Sequence, residues 1–136
     1  MIEIDENVVS AEIAKLLKLL RYNRECNHAY VLDKNGDVLY GPTAGNVRKE
    51  CVALKYYEVL IAPTVDKAIE YIIDDLRMYP AITPLRYGSW CCSIYDMNKN
   101  CEVIHEYVNE DFNRALSYGI EYCCKHKLES DGRSEN

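Results

Sequence analysis

The sequence lacks the features of membrane and exported proteins. No apolar run in its 136 residues approaches the roughly 18 that cross a bilayer, so a soluble chain without membrane contact is predicted. The acidic start MIEIDEN has neither the basic residues nor the apolar centre of an export signal. We therefore expect a cytoplasmic protein.

Basic charge is also scarce. Sixteen Lys and Arg residues stand against 22 Asp and Glu, which gives a net charge of -6. Binding to duplex nucleic acid requires clustered Lys and Arg, so that partner is excluded. Without an export signal, the seven cysteines are expected to be reduced thiols rather than a disulfide framework. The twelve tyrosines, against one Trp and one Phe, suit the boundary of a core or an interface.

Hydrophobic periodicity predicts one α+β domain over residues 1–126, followed by a disordered tail at 127–136. The fold expected is a mainly antiparallel, sandwich-like sheet of about five strands, made of two hairpins plus one strand and covered by three to four helices. In chain order the predicted elements are helix 8–22, hairpin 28–40, loop 41–46, helix 47–54, strand 56–62, helix 65–78, irregular crossing 79–88, hairpin 90–107 and helix 109–126.

Short polar residues mark the expected turns and caps. Asn35-Gly36 is a dipeptide that tolerates the positive φ of a tight hairpin turn. Asn7 or Asp5 is expected to cap the first helix, and Asn109 the last. Leu19 widens the apolar surface of the first helix, which favours contact with a partner subunit.

Metal sites and catalytic motifs are not indicated. Zinc would need Cys101 with His105 to converge with Cys123 and His126, but these spacings match no standard finger. The acidic turn at 33–37 lacks the glycine and glutamate positions of a calcium loop. None of the three histidines lies in a recognised catalytic motif. We expect no metal, no cofactor and no enzymatic activity.

Arginines beside aromatic residues at turns are the remaining candidates for function. Arginine pairs with phosphate oxygens through two bonds, and aromatic faces stack on bases, so the combination suits a small phosphorylated nucleotide. The loop at 41–46 can also present backbone N–H groups to an anion. The plainer alternatives are a connecting loop capped by Thr43 or Asn46, solvated arginines and half-buried tyrosines. The candidate ligand-binding residues are Tyr22, Arg24, Tyr40, Thr43, Asn46, Arg48, Arg86, Trp90, Asn113 and Arg114.

Three segments between residues 57 and 124, APTVDKAIEYI, SWCCSIYD and DFNRALSYGIEYC, resemble small phage proteins with an α/β/α sandwich domain. The chain is also similar in size and element order to the first type of Thoeris anti-defence protein. That resemblance implies a homo-oligomer, a dimer or larger, in the host cytoplasm. It would sequester a cyclic ADP-ribose-type or cyclic oligonucleotide immune signal without cleaving it. The alternative is a small protein-binding inhibitor of a host defence enzyme that has no small-molecule ligand.

Overall fold

The computed structural model describes residues 8–44 and 58–132. Within these ranges the chain is α+β, as predicted, with three helices and two three-stranded antiparallel sheets. The chain divides into two compact units, Met1–Asp66 and Lys67–Asn136. Each sheet belongs to one unit. The expected sheet of about five strands is therefore wrong in its strand count.

The helices and strands have the following bounds. The first unit contains α1 (Ala11–Leu19), β1 (His28–Leu32), β2 (Val38–Ala44) and β3 (Glu58–Ile61). Helix α2 (Val65–Tyr71) begins at the end of the first unit and passes into a π-helical turn, Ile72–Leu76. The second unit continues with β4 (Met78–Pro84), β5 (Trp90–Asp96), β6 (Glu102–Asn109) and α3 (Phe112–Ser130).

The first sheet has the order β2-β1-β3, and its hairpin forms where the sequence predicts it. Gly36 has a φ of 86°, a left-handed conformation that glycine adopts without strain. The Asp33 carboxylate accepts hydrogen bonds from the backbone N–H groups of Asn35 and Asp37, at 2.8 and 2.9 Å. The carboxylate therefore organises the turn itself.

Gly41 allows β2 to continue past the hairpin. Its φ is 127°, and an added Cβ would lie 2.9 Å from both the Ala29 carbonyl oxygen and the Tyr30 Cα. The pairing of β1 with β2 is irregular between Ala29 and Val31. Residues 41–44, expected to be loop, are thus the end of a strand, because glycine permits this close approach. The expected helix 47–54 lies outside the described residues.

The start of α1 is fixed by a serine cap and two further hydrogen bonds. The Ile13 N–H donates to Ser10 Oγ at 3.3 Å, so the cap is Ser10 and not Asn7 or Asp5. The Val9 N–H donates to the Pro63 carbonyl at 3.1 Å, and the Tyr30 hydroxyl donates to the Val9 carbonyl at 2.6 Å. These bonds tie the helix start to β1 and to the residues after β3.

The second sheet contains a strand that the sequence analysis did not predict. β4 lies where the sequence predicts an irregular crossing over residues 79–88. The sheet order is β4-β5-β6, so β4 is an edge strand that pairs only with β5. Proline is tolerated on an edge because its missing N–H faces away from the ladder. The extra strand makes this a complete three-stranded sheet.

Helix α3 packs across one face of this sheet through small and apolar residues. Ile94 on β5 and Ile120 on α3 are fully buried. An added Cβ on Gly119 would overlap Cys92 Sγ and lie 3.2 Å from Pro80 Cβ, so glycine permits the close packing. Asp111, rather than the predicted Asn109, caps the helix by accepting from the Arg114 N–H at 3.2 Å.

All three helices differ in length from the prediction, and α1 is shorter than the expected 8–22. The helix predicted at 65–78 changes to π-helical geometry at Ile72, and Arg77, with a φ of 59°, ends the turn before β4. Helix α3 continues to Ser130, so residues 127–130 of the expected disordered tail form its last turn. Residues 133–136 lie outside the described part of the chain.

Candidate functional site

A pocket of about 350 Å³ lies in the first unit, between the segment that follows α1 and the strands β1 and β3. Its volume falls within the roughly 300–1,000 Å³ typical of small-molecule sites. The described residues that line it are Tyr22, Asn23, Arg24, Glu25, Cys26, Asn27, His28, Ala29, Val59 and Ile61. Polar residues therefore come from one continuous segment of chain, and apolar residues come from the sheet.

Paired strands form the apolar side of the pocket. Ala29 on β1 pairs with Ile61 on β3, and Val31 pairs with Val59. Because side chains alternate along a strand, Val59 and Ile61 lie on one face and the buried Leu60 on the other. The pocket thus has two aliphatic residues from β3 beside the small Ala29.

The end of α1 determines where Tyr22 lies. Arg21 has a φ of 64°, a conformation that residues just after a helix often adopt. Its N–H donates to the Lys18 carbonyl at 3.0 Å, and the Tyr22 N–H donates to the Leu17 carbonyl at 2.9 Å. These two bonds form a Schellman motif, which turns the chain away from the helix axis. The half-buried Tyr22 is thereby brought to the pocket wall.

The segment after Tyr22 supplies charge and hydrogen-bonding groups. Arg24 is half-buried and carries a permanent positive charge, and Asn27 and His28 add groups able to bond a polar ligand. Glu25 is exposed and adds one negative charge to the same rim. The pocket can therefore hold a ligand with an apolar or aromatic part and an anionic part.

Cys26 has a structural role in this segment. Its thiol lies 3.5 Å from the Arg24 carbonyl oxygen, to which it donates. Burial raises the pKa of the Cys26 thiol, and a hydrogen bond with Tyr22 partly opposes that increase. The thiol consequently stays protonated at neutral pH, a form that is a poor nucleophile.

Three thiols in the core of the second unit are also expected to be unreactive. Burial is the main cause that raises the pKa of Cys92 to about 11 and that of Cys124 to about 12. Burial likewise raises the pKa of Cys123, and the neighbouring Cys124, Cys92 and Asp96 raise it further. These cysteines act as small apolar core residues.

Thiol labelling tests this assignment. The experiment uses a Cys51→Ser background, which removes the one cysteine that lies outside the described residues. In this background we expect Ellman's reagent at pH 8 to modify the exposed Cys101 first. A pKa of about 11 leaves roughly one Cys92 thiol in a thousand ionised at that pH, so Cys92 should react only on unfolding. Mass spectrometry of timed samples identifies the sites. A fast reaction at Cys92, Cys123 or Cys124 would contradict the assignment.

Two of the predicted binding residues, Tyr22 and Arg24, lie together on the pocket. Tyr40 and Thr43 lie on β2, where only the backbone is described, and Asn46 and Arg48 lie outside the described residues. The pocket residues that the sequence analysis did not select are Asn23, Glu25, Cys26, Asn27, His28, Ala29, Val59 and Ile61. The polar residues among them follow Tyr22 directly in the sequence, and this proximity is the signal by which they could have been predicted.

The other predicted residues lie at one end of the second sheet. Trp90 starts β5 and pairs with Pro84 on one side and Asn109 on the other. Arg86 is in the loop between β4 and β5, while Asn113 and Arg114 are in the first turn of α3. The topology thus brings these four residues to the same end of the second sheet. Tyr22 and Arg24 belong to the first unit, so they are not part of this group.

An exposed aromatic group occupies this same end. The Trp90 and Phe112 rings meet edge to face, with centroids 5.0 Å apart, and Phe112 is 41% exposed. Tyr87 is 100% exposed and has a φ of 66°, an unfavourable backbone conformation for a tyrosine. The Leu85 N–H donates to the Ser89 carbonyl at 2.8 Å and closes this short loop.

Several tyrosines stack on one another between β6 and α3. The Tyr107 and Tyr118 rings lie 3.8 Å apart, and the His105 and Tyr122 rings lie 4.2 Å apart. His105 Nε2 is also 2.8 Å from the Tyr118 hydroxyl, with which it forms a hydrogen bond. His126, the other histidine of the zinc hypothesis, stacks on Tyr122 at 5.9 Å. These rings fill the boundary between helix and edge strand.

The described ranges, 8–44 and 58–132, contain neither a cluster of metal-ligating side chains nor a membrane-spanning helix. No group of three or more His, Cys, Asp or Glu residues in these ranges is arranged to hold a metal ion. No helix within them is both long and apolar enough to cross a membrane.

Comparison of the chain with protein families, with curated protein sequences and with solved structures found no match. The resemblance to phage anti-defence proteins is therefore an expectation from short sequence segments.

Proposed function

We propose that this chain is a non-catalytic binding protein that captures a small phosphorylated nucleotide in the pocket of the first unit. The observation that carries the proposal is the placement of Tyr22 and Arg24 on one pocket, opposite the apolar Val59 and Ile61. An aromatic ring, a permanent cation and an aliphatic wall are the groups that recognise a base and a phosphate.

The polar segment 23–28 matches the phosphate part of such a ligand. Arginine forms two parallel bonds to phosphate oxygens, and these charged bonds are stronger than neutral ones. Asn27 and His28 line the same pocket and provide further hydrogen-bonding groups. A pocket that is half apolar and half polar also favours a ligand with both characters over inorganic phosphate alone.

Sequestration without cleavage is the activity we assign to this pocket. Cys26, the thiol that lines it, has a raised pKa and remains protonated, which argues against a nucleophilic role. The resemblance in sequence suggests a cyclic ADP-ribose-type or cyclic oligonucleotide signal as the ligand. Leu19, which is 37% exposed on α1, is available as an apolar contact for the homo-oligomer that the sequence resemblance implies.

Calorimetry tests the proposal. The full chain is titrated with cyclic ADP-ribose isomers, cyclic dinucleotides, cyclic trinucleotides and AMP. We expect tight binding of at least one cyclic nucleotide, followed by release of the intact ligand when the protein is denatured, as measured by mass spectrometry. Absence of binding to every compound would contradict the proposed function, and recovery of a cleaved product would contradict its non-catalytic character.

A protein-binding inhibitor is the second candidate function, and one observation favours it. Tyr87 has an unfavourable backbone conformation, yet its fully exposed side chain provides no internal packing in return. Exposed aromatic residues beside arginines, such as Arg86, are common at the centre of protein interfaces. A chain that binds none of the nucleotides above would make this surface the stronger candidate.

A further inference from the structure

Aromatic residues on β6 and α3 face each other in the second unit, because their spacing matches the two elements. His105 and Tyr107 are two positions apart on β6, so they lie on the same face of the strand. Tyr118 and Tyr122 are four positions apart on α3, about one turn of the helix. Tyr107 stacks on Tyr118 and His105 stacks on Tyr122, with interplanar angles of 15° and 6°. The result is a compact group of four half-buried rings.

One contact in this group joins an acid to a base. The Tyr118 hydroxyl lies 2.8 Å from His105 Nε2, within the roughly 2.6–3.2 Å over which a side chain can take a proton directly. A neutral imidazole that carries its hydrogen on Nδ1 accepts the hydroxyl hydrogen at Nε2. The phenol of Tyr118 therefore has a proton acceptor already in place.

A proton acceptor in contact with a phenol makes the phenol easier to oxidise. A phenol that loses one electron becomes a strong acid, so its oxidation is far more favourable when the proton leaves in the same step. The electron can cross several ångströms of protein, whereas the proton moves along a hydrogen bond. Tyr118 meets both requirements, because its ring is half-buried and its hydroxyl is bonded to His105.

The neighbouring Tyr107 has the opposite kind of hydrogen bond. The Asn109 side-chain amide donates to the Tyr107 hydroxyl oxygen at 3.0 Å. A hydrogen bond that a phenol oxygen accepts withdraws electron density from the ring, which disfavours oxidation of Tyr107 relative to Tyr118. The Tyr107 ring lies 3.8 Å from the Tyr118 ring and covers one of its faces. It thereby limits the reaction of a radical on Tyr118 with other molecules.

We propose that Tyr118 is a redox-active tyrosine, which gives one electron to an outer-sphere oxidant such as the carbonate radical anion while its proton moves to His105. The O–H bond of Tyr118 breaks and an N–H bond forms at His105 Nε2. The oxidant gains the electron and becomes carbonate, and a neutral phenoxyl radical remains beside an imidazolium. This inference concerns the second unit and does not depend on the proposed function.

Photo-oxidation of the full chain tests the proposal. Light and persulfate generate tris(bipyridine)ruthenium(III) as the oxidant, a nitroso spin trap marks the radicals, and mass spectrometry of peptides identifies the marked residues. Tyr87 is the matched comparison, because its side chain is 100% exposed. We expect the trap to mark Tyr118 before Tyr87. Tyr118→Phe should abolish that adduct, and Tyr87→Phe should leave it unchanged.

Two further measurements separate proton transfer from exposure. His105→Gln keeps a hydrogen-bonding group but has no base for the proton, so the oxidation rate at Tyr118 is expected to fall roughly 100-fold. In the unsubstituted chain, the rate at Tyr87 should rise with the concentration of phosphate buffer, which takes the proton there, and the rate at Tyr118 should not. Marking of Tyr87 first, an unchanged rate in His105→Gln, or the same buffer dependence at both tyrosines would overturn the proposal.

Discussion

Replacing Gly41 with alanine is expected to lower the free energy of unfolding of the first unit by about 3 kcal/mol. Two costs combine at this position. The φ of 127° is a conformation that only glycine adopts readily, and the new Cβ would lie 2.9 Å from backbone atoms of Ala29 and Tyr30. Backbone atoms of a central strand cannot move aside as the end of a flexible side chain can. β1 and β2 would have to separate.

Gly36→Ala is the matched control for this substitution. Gly36 also has a positive φ, 86°, but an added Cβ there meets nothing within 4 Å. Only the conformational cost of about 1 kcal/mol is expected. Urea unfolding of both variants is monitored by amide hydrogen exchange of β1. Tryptophan fluorescence would not report on this unit, because the one tryptophan, Trp90, lies in the second unit. Equal costs for the two substitutions would contradict the close approach at Gly41.

Replacing Arg24 with alanine is expected to weaken the binding of a phosphorylated nucleotide about 100-fold. Charge-assisted hydrogen bonds contribute about 1.5–3 kcal/mol, and each 1.4 kcal/mol corresponds to a factor of about ten in affinity. Calorimetry with the cyclic nucleotide that binds the unsubstituted chain measures the change. Arg24→Lys should recover only part of the affinity, because an ammonium group does not form the two parallel bonds of a guanidinium.

Arg114→Ala is the control for a general loss of positive charge. Arg114 is exposed in the first turn of α3, in the second unit, and does not line the pocket. Its substitution should leave the affinity within a factor of about two, because Arg114 forms no part of the pocket lining and its exposed charge is screened by salt. An equal loss from Arg24→Ala and Arg114→Ala would mean that overall charge, not the pocket, determines binding.

Elements with strong local signals were predicted from the sequence. Asn35-Gly36 fixed the first hairpin, and the helical spacing of Phe112, Ala115, Gly119 and Ile120 located α3. β4 was not predicted because its signal depends on tertiary context. Pro80 and Pro84 exclude a central strand but not an edge strand, and a single sequence does not show which strand lies at an edge.

The candidate site was predictable only in the part where its residues lie close together in sequence. Tyr22 and Arg24 were predicted as binding residues because an arginine lies close to an aromatic residue at a turn, and both line the pocket. Val59 and Ile61 lie far from them in sequence, and only the pairing of β1 with β3 places them opposite. The grouping of Arg86, Trp90 and Arg114 likewise depends on the strand order of the second sheet.

The most direct test of the central claim is a heteronuclear NMR titration of the labelled full chain with the cyclic nucleotide that binds most tightly in calorimetry, which reports the position of the ligand residue by residue. We expect the largest shift changes in the amides of residues 22–29 and 59–61, which contain the residues that line the pocket. Shifts confined to the loop around Tyr87 and the start of α3, or no shifts at millimolar ligand, would contradict nucleotide capture by the first unit.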